Sequence, residues 1–212
     1  MICVSLAEPT LARCLAALDG IPFAEIRLDR MRTNEVEVAR LFSGKARLVA
    51  TCRPGRLPES RRLALLRAAI AAGAAYVDIE IGAGAGYKKA LVRAARAAGC
   101  SVIISHHDFR KTPPREELLA LVNRCFGSGA DIAKIACRVR SPRDNARLLG
   151  LLDDERELIV VGIGKRGVLT RIAGPLAGGV FSFASPGTGR ETAEGQIPYR
   201  TLNALIKAVA DA

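Results

Sequence analysis

Tryptophan is absent from this 212-residue chain, and aromatic residues make up only 4% of it. Surfaces that bind nucleic acids commonly use aromatic side chains to stack on the bases, so this scarcity argues against such a surface. The net charge of +11 argues the other way, because a basic protein attracts polyanions. The basic residues are nevertheless spread along the whole chain. We interpret them as a solvated basic surface and expect no nucleic-acid partner.

Metal-binding patterns are also scarce. The chain has only two histidines, which are adjacent, and its six cysteines show no C-x-x-C spacing. A zinc site needs several such ligands at suitable spacing, so we expect no metal ion and no other cofactor. Scattered cysteines among apolar neighbours are typical of buried thiols in a reducing compartment.

Long apolar segments are missing as well. The alanine-rich run at residues 63–77 contains Arg67 and Gly73 and is too short to span a bilayer. Residues 1–9 contain no basic leader and are interrupted by Glu8 and Pro9, so we expect no signal peptide. These features predict a cytoplasmic protein without a membrane partner.

Short β-like runs alternate with helix-like runs along the chain. The predicted strands are residues 2–6, 23–29, 47–52, 76–81, 101–107, 131–137, 158–163 and 180–184. Their number and spacing predict a closed (β/α)8 TIM barrel that forms one domain over residues 1–212. A doubly wound open sheet is the competing architecture. Its dinucleotide-binding loop is not matched at residues 82–86, because Tyr87 stands where the third glycine is required.

Polar and apolar residues alternate along these predicted strands. Successive side chains of a strand point to opposite faces, so the polar residues of each strand share one face. If the apolar faces pack on the surrounding helices, the polar faces converge inside the barrel. The polar residues expected in this interior are Glu25, Arg27, Arg53, Asp78, Glu80, His107 and Lys134. Burying so many charges is costly unless they pair with one another or with a ligand, which favours a functional site at the carboxyl ends of the strands.

An amine and an imidazole lie on two successive predicted strands. Lys134 and His107 would then be close together, an arrangement that suits imine chemistry on a ketone with a base beside the imine. The alternation places His107 on the same face as Ser105 and directs His106 away. The alternative for the lysine is a structural salt bridge with Asp78 or Glu80.

Several short segments together resemble one known family, the type I 3-dehydroquinate dehydratases. They are residues 25–29 (EIRLD), 51–53 (TCR), 76–80 (YVDIE), 105–109 (SHHDF), 131–136 (DIAKIA), 170–174 (TRIAG) and 195–197 (GQI). The resemblance runs along nearly the whole chain. It implies a hydro-lyase of the shikimate pathway, which leads to chorismate and the aromatic amino acids. Its small-molecule substrate would be 3-dehydroquinate, converted to 3-dehydroshikimate through a lysine Schiff base.

The resemblance also implies roles for individual residues. Lys134 would attack the C3 ketone in its uncharged form, and His107 would take the C2 proton and return it to the departing C1 hydroxyl. Arg171 would bind the substrate carboxylate, and Thr192 and Gln196 would close over it. The residues that the resemblance implies around the ring hydroxyls are Glu25, Arg27, Arg53 and Ser5. Asp78 and Glu80 would support His107 and the arginines.

The chain departs from the family pattern at some of these places. Val161 and Ile163 stand where many members have methionine, and Thr192 stands where many have serine. The acidic residue expected soon after Arg53 is displaced, with Glu59 the nearest candidate, so the partner of His107 stays open.

Residues 185–192 are rich in loop formers and are predicted to form a lid.

Two other functions compete with the dehydratase hypothesis. One is a class I aldolase acting on a sugar or sugar phosphate, which would also use a lysine imine. The other is a catalytically silent basic barrel that binds anions or nucleic acids. Members of the resembled family often dimerise, which makes a homodimer the assembly that the resemblance implies.

Overall fold

The computed structural model describes residues 1–211, and within them eight parallel strands form one sheet. The strands are β1 (Ile2–Leu6), β2 (Phe23–Arg27), β3 (Arg47–Thr51), β4 (Tyr76–Glu80), β5 (Ser101–Asp108), β6 (Ile132–Arg138), β7 (Leu158–Ile163) and β8 (Ser182–Ala184). Their spatial order is β7-β6-β5-β4-β3-β2-β1-β8. The amide of Val180 donates to the Leu158 carbonyl oxygen at 3.0 Å, which brings the two ends of the sheet together. The predicted (β/α)8 barrel is confirmed.

An α-helix follows each strand, as parallel neighbours require. The helices are α1 (Leu11–Leu18), α2 (Glu35–Phe42), α3 (Glu59–Ala71), α4 (Ala85–Ala98), α5 (Arg115–Gly127), α6 (Pro142–Leu149), α7 (Val168–Leu176) and α8 (Tyr199–Ala210). None of the helices in residues 1–211 has the length and apolar character needed to cross a membrane.

The second strand is shorter than predicted. It ends at Arg27, and Leu28–Arg30 form a 3-10 turn instead of continuing to Asp29. The turn brings the Asp29 carboxylate back to the Arg27 guanidinium, with Nη2 and Oδ2 2.8 Å apart. The predicted end of this strand at residue 29 is therefore wrong by two residues. The last strand is also shorter and begins at Ser182.

The barrel interior has an apolar floor at the amino ends of the strands. Phe23, Tyr76 and Phe181 pack there with ring centroids 4.9 to 5.8 Å apart. Phe183 extends this cluster toward the carboxyl ends of the strands, with its ring centroid 5.3 Å from that of Phe181. A separate and larger apolar core lies between the strands and the helices. The Arg47 guanidinium lies over the Phe23 and Tyr76 rings at the amino-terminal end of the barrel.

A tight turn between β7 and α7 fixes the start of the helix that carries Arg171. The Gly162 amide donates to Thr170 Oγ1 at 2.7 Å, and that hydroxyl donates to the Gly167 carbonyl oxygen at 2.8 Å. The backbones of Gly162 and Gly167 are so close that a Cβ atom on Gly167 would lie 2.7 Å from the Gly162 Cα atom.

We therefore expect Gly167→Ala to lower the free energy of unfolding by about 1–3 kcal/mol, because the added methyl group would overlap a backbone that cannot move freely. Urea denaturation measures the change. Gly86→Ala is the matched control: a Cβ atom at that position in α4 meets nothing within 4 Å. The control should be stabilised by roughly 0.5–1 kcal/mol, because alanine favours helix more than glycine does. Equal destabilisation of both variants would contradict this account.

Candidate active site

A cavity of about 490 Å³ opens at the carboxyl ends of the strands. It contains almost all of the residues predicted for the site. Those that line it are Ser5, Glu25, Arg27, Arg53, Glu80, His107, Lys134, Arg171, Thr192 and Gln196. Asp78 is the exception, since it is buried beneath the cavity wall. The convergence of polar faces predicted from the strands therefore occurs.

Asp78, on β4, holds two cations of the site. It receives two parallel hydrogen bonds from Arg53, from Nη1 and Nη2, both at 2.7 Å. It also lies 3.0 Å from Lys134 Nζ and accepts from the Ser105 hydroxyl at 2.6 Å. Burial alone would raise the pKa of Asp78, but Arg53 and Lys134 hold it well below its ordinary value. Asp78 is therefore a buried carboxylate anion.

Lys134 lies on β6 and is only 5% exposed. Its Nζ atom is 4.0 Å from the centroid of the Phe183 ring, so the aromatic floor lies under the amine. The salt bridge with Asp78, considered above as an alternative for this lysine, is present. It does not remove the amine from the cavity, which Lys134 still lines.

His107, on β5, is paired with Glu80 of the adjacent strand. Its Nδ1 atom lies 2.7 Å from Glu80 Oε1, although without the alignment of a full hydrogen bond. Burial lowers the pKa of His107, Arg53 lowers it further, and Glu80 opposes them, so the imidazole is neutral near pH 7. The Phe109 ring stacks on the imidazole at 6.0 Å with an interplanar angle of 14°.

The partner of His107, left open by the sequence, is thus Glu80. Glu59 lies on α3, where its nearest cation is Arg62 at 3.8 Å. His106 is half-buried and does not line the cavity, as the alternation predicts.

Glu25, on β2, is held by two hydroxyl groups. Ser5 donates to its Oε2 atom at 2.6 Å and Thr51 donates to its Oε1 atom at 2.9 Å. Burial would raise the pKa of Glu25, but the cations Lys134, Arg27 and Arg53 bring it below the ordinary value. Glu25 is therefore a fixed anion in the wall of the cavity.

Arg171, on α7, is the least satisfied charge of the site. It is 1% exposed, and its single hydrogen bond among the described residues runs from Nη1 to the Phe183 carbonyl oxygen at 3.2 Å. Its Nε and Nη2 atoms have no partner within residues 1–211. Burial lowers the pKa of Arg171 to about 10, so the side chain is still a cation at neutral pH. A buried guanidinium with free donors is suited to bind a carboxylate.

The loop between β8 and α8, residues 185–198, covers one side of the cavity. Its base is closed by two backbone hydrogen bonds, from Ser185 to Ile197 at 3.0 Å and from Tyr199 to Ser185 at 2.9 Å. Within the loop, the Thr192 amide donates to Gln196 Oε1 at 2.7 Å. The two predicted loop residues therefore contact each other at the edge of the cavity.

Some residues that line the cavity were not predicted from the sequence. Arg138 lines the cavity together with Glu194, to which it is ion-paired. Arg138 shares a strand face with Lys134, so the same alternation could have found it. No sequence signal pointed to Glu194. No group of His, Cys, Asp and Glu side chains in the described part of the chain is arranged to hold a metal ion.

The barrel and the polar cavity at the carboxyl ends of its strands define a (β/α)8-barrel enzyme. The model of the type I 3-dehydroquinase family matches residues 2–211. A 3-dehydroquinate dehydratase of Dehalococcoides mccartyi is 31% identical over 98% of this chain and 95% of its own length. Crystal structures of two 3-dehydroquinate dehydratases are also similar. That of Geobacillus kaustophilus has a TM-score of 0.88 at 25% identity, covering 99% of this chain and 91% of its own. That of Aquifex aeolicus has a TM-score of 0.82 at 27% identity, covering 98% of each chain.

The chain belongs to the type I 3-dehydroquinase family and is a hydro-lyase. The match favours the dehydratase hypothesis over the aldolase and over a silent anion-binding barrel, since it covers every strand that contributes to the cavity.

Proposed function

We propose that this enzyme converts 3-dehydroquinate to 3-dehydroshikimate and water through an imine on Lys134. The observation that carries the proposal is the buried Arg171, which lines the same cavity as the amine and the imidazole and has two donor atoms without a partner among the described residues. A desolvated cation without a protein partner is costly, and a substrate carboxylate would supply the missing anion. With the carboxylate bound at Arg171, the ring of the substrate would lie in the cavity that Lys134 and His107 also line.

The first step is the attack of the neutral Lys134 amine on the C3 ketone. Loss of water from the resulting carbinolamine gives an iminium ion, which makes the C2 proton more acidic. Asp78 does not prevent this step, because Arg53 already binds both of its oxygen atoms and neutralises much of its charge. The new iminium cation is stabilised by the same carboxylate.

His107 moves the protons of the reaction. Glu80 favours a proton on Nδ1, which leaves Nε2 free to accept the C2 proton. The electrons of that C–H bond form an enamine, which expels the C1 hydroxyl group, and His107 returns the proton so that water departs. Water then hydrolyses the iminium, releasing the product and regenerating the Lys134 amine. The neutral imidazole at pH 7 is the form that this cycle requires.

The remaining cavity residues would orient the substrate. Glu25 and Arg27 would contact the ring hydroxyls of the substrate. Ser5 would fix the carboxylate of Glu25, and Arg53 would fix the carboxylate of Asp78. Thr192 and Gln196 would close over the carboxylate beside Arg171, where the β8–α8 loop excludes water from the iminium.

Borohydride trapping tests the proposal. Borohydride reduces an iminium to a stable amine, so wild-type protein incubated with 3-dehydroquinate should gain one ligand mass, and peptide mapping should place it on Lys134. Turnover is followed separately by the ultraviolet absorbance of the enone product. If sugar phosphates were turned over and 3-dehydroquinate were not, the proposal would be wrong.

The pH profile tests the pairing of Glu80 with His107. Activity needs the neutral base, so kcat/KM should fall as the pH drops through the His107 pKa, which lies below its ordinary value. Glu80 raises that pKa, so Glu80→Gln should move the acid limb to lower pH. Glu59→Gln is the control, because Glu59 lies outside the cavity on α3 and should leave the limb unchanged. A shift to higher pH in Glu80→Gln would contradict the pairing.

We further propose a cytoplasmic location and a homodimer. All six cysteines are buried and free, which is consistent with a reducing compartment. Sedimentation equilibrium would measure the assembly.

A further inference from the structure

Arg138 connects parts of the active site that are distant in sequence. It shares a face of β6 with Lys134 and Ala136, and all three line the cavity, with Arg138 nearest the mouth. Its Nη1 atom lies 2.8 Å from Glu194 Oε2 in the β8–α8 loop. Its Nε atom donates to the Phe109 carbonyl oxygen at 3.3 Å, two residues beyond His107.

The same part of the loop is also docked through its backbone. The Gly164 amide, at the end of β7, donates to the Glu194 carbonyl oxygen at 3.1 Å. Gly195 has φ +82°, and a Cβ atom there would overlap the Gly164 carbonyl. Only glycine permits so close an approach in this backbone conformation. Glu194 is thus held at its side chain by β6 and at its carbonyl by β7.

This docking point lies between Thr192 and Gln196, the loop residues that contact each other at the cavity edge. Each is only two residues from Glu194. A contact that fixes Glu194 therefore also restricts the position of the Gln196 side-chain amide.

We propose that Arg138 is a positioning residue that latches the β8–α8 loop through Glu194 and so sets the affinity for the anionic substrate. The identity of the substrate in this proposal rests on the proposed function. The ion pair that latches the loop does not depend on it. An ion pair at a partly exposed site contributes little alone. Here it selects one loop conformation that the Gly164 hydrogen bond also favours, so its loss lets the loop leave the cavity.

Kinetics of a double-mutant cycle test the proposal. Arg138→Met and Glu194→Gln should each raise KM for 3-dehydroquinate by roughly two- to fivefold, the range expected for losing one such ion pair. The double variant should be no worse than either single one, because both changes break the same contact. Arg138→Lys, which keeps the charge, should recover part of the loss. The control is Arg156→Met, which breaks an exposed arginine pair with Asp154 outside the cavity and should leave KM unchanged.

Hydrogen exchange gives a readout that needs no substrate. The Gly164 amide should exchange faster in Arg138→Met and in Glu194→Gln than in the wild type, and at the wild-type rate in Arg156→Met. Faster exchange without any turnover of 3-dehydroquinate by the wild type would support the latch and reject the proposed function. Unchanged exchange, or increases in KM that add in the double variant, would overturn the latch. An increase in KM for Arg138→Met alone would show instead that Arg138 binds substrate directly.

Discussion

Lys134→Ala is expected to lose turnover of 3-dehydroquinate by on the order of 10⁴-fold or more, because the reaction then has no amine to form the iminium. Without the iminium, the C2 proton is not acidified and the C1 hydroxyl has no electron-rich enamine to expel it. The same variant should take up no ligand mass on treatment with borohydride. Enone absorbance and intact-protein mass spectrometry give the two measurements.

The controls separate loss of the nucleophile from loss of the fold. Lys134→Met keeps most of the side-chain volume above the Phe183 ring while removing the amine, and it should be as inactive as the alanine variant. Lys88→Ala removes a lysine on α4 that donates to the Ile81 carbonyl oxygen at 2.6 Å, outside the cavity. It should be labelled and active like the wild type. If Lys134→Ala were labelled as well as the wild type, the nucleophile would be another residue.

His107→Ala is expected to separate the two halves of the reaction. Loss of a general acid–base group costs about 10²–10⁴-fold, so elimination should nearly cease. The Lys134 amine remains, so borohydride should still trap an imine with the substrate. The ratio of trapped protein to product formed is the quantity to measure.

The adjacent histidine is the natural comparison. His106 is half-buried outside the cavity, so His106→Ala should cost far less activity than His107→Ala. Unchanged turnover in His107→Ala would remove the imidazole from the mechanism. Equal losses in both variants would indicate a general effect on the end of β5 instead.

Much of the site could be predicted because strand geometry has a simple period. The alternation along β2, β4, β5 and β6 is sufficient to predict that Glu25, Asp78, His107 and Lys134 share one interior. The roles of Arg171 and Gln196 needed the family resemblance, since a helix and a loop have no comparable inside and outside pattern.

The pairings inside the cavity were not predictable to the same degree. Asp78 is shared between Arg53 and Lys134, an arrangement that the alternation allowed but did not select. Glu80 rather than Glu59 contacts His107, because β4 and β5 are neighbours in the sheet whereas Glu59 lies out on α3.

The sequence by itself determined the barrel, the face of each strand that turns inward and the types of residue that meet there, because these depend on local periodicity. Only the tertiary structure decided which carboxylate meets which cation, that Arg171 keeps free donors, and that Arg138 reaches Glu194 at a separation of 56 residues. An ion pair needs atoms within a few ångströms, and the curvature and stagger of the closed sheet set those distances.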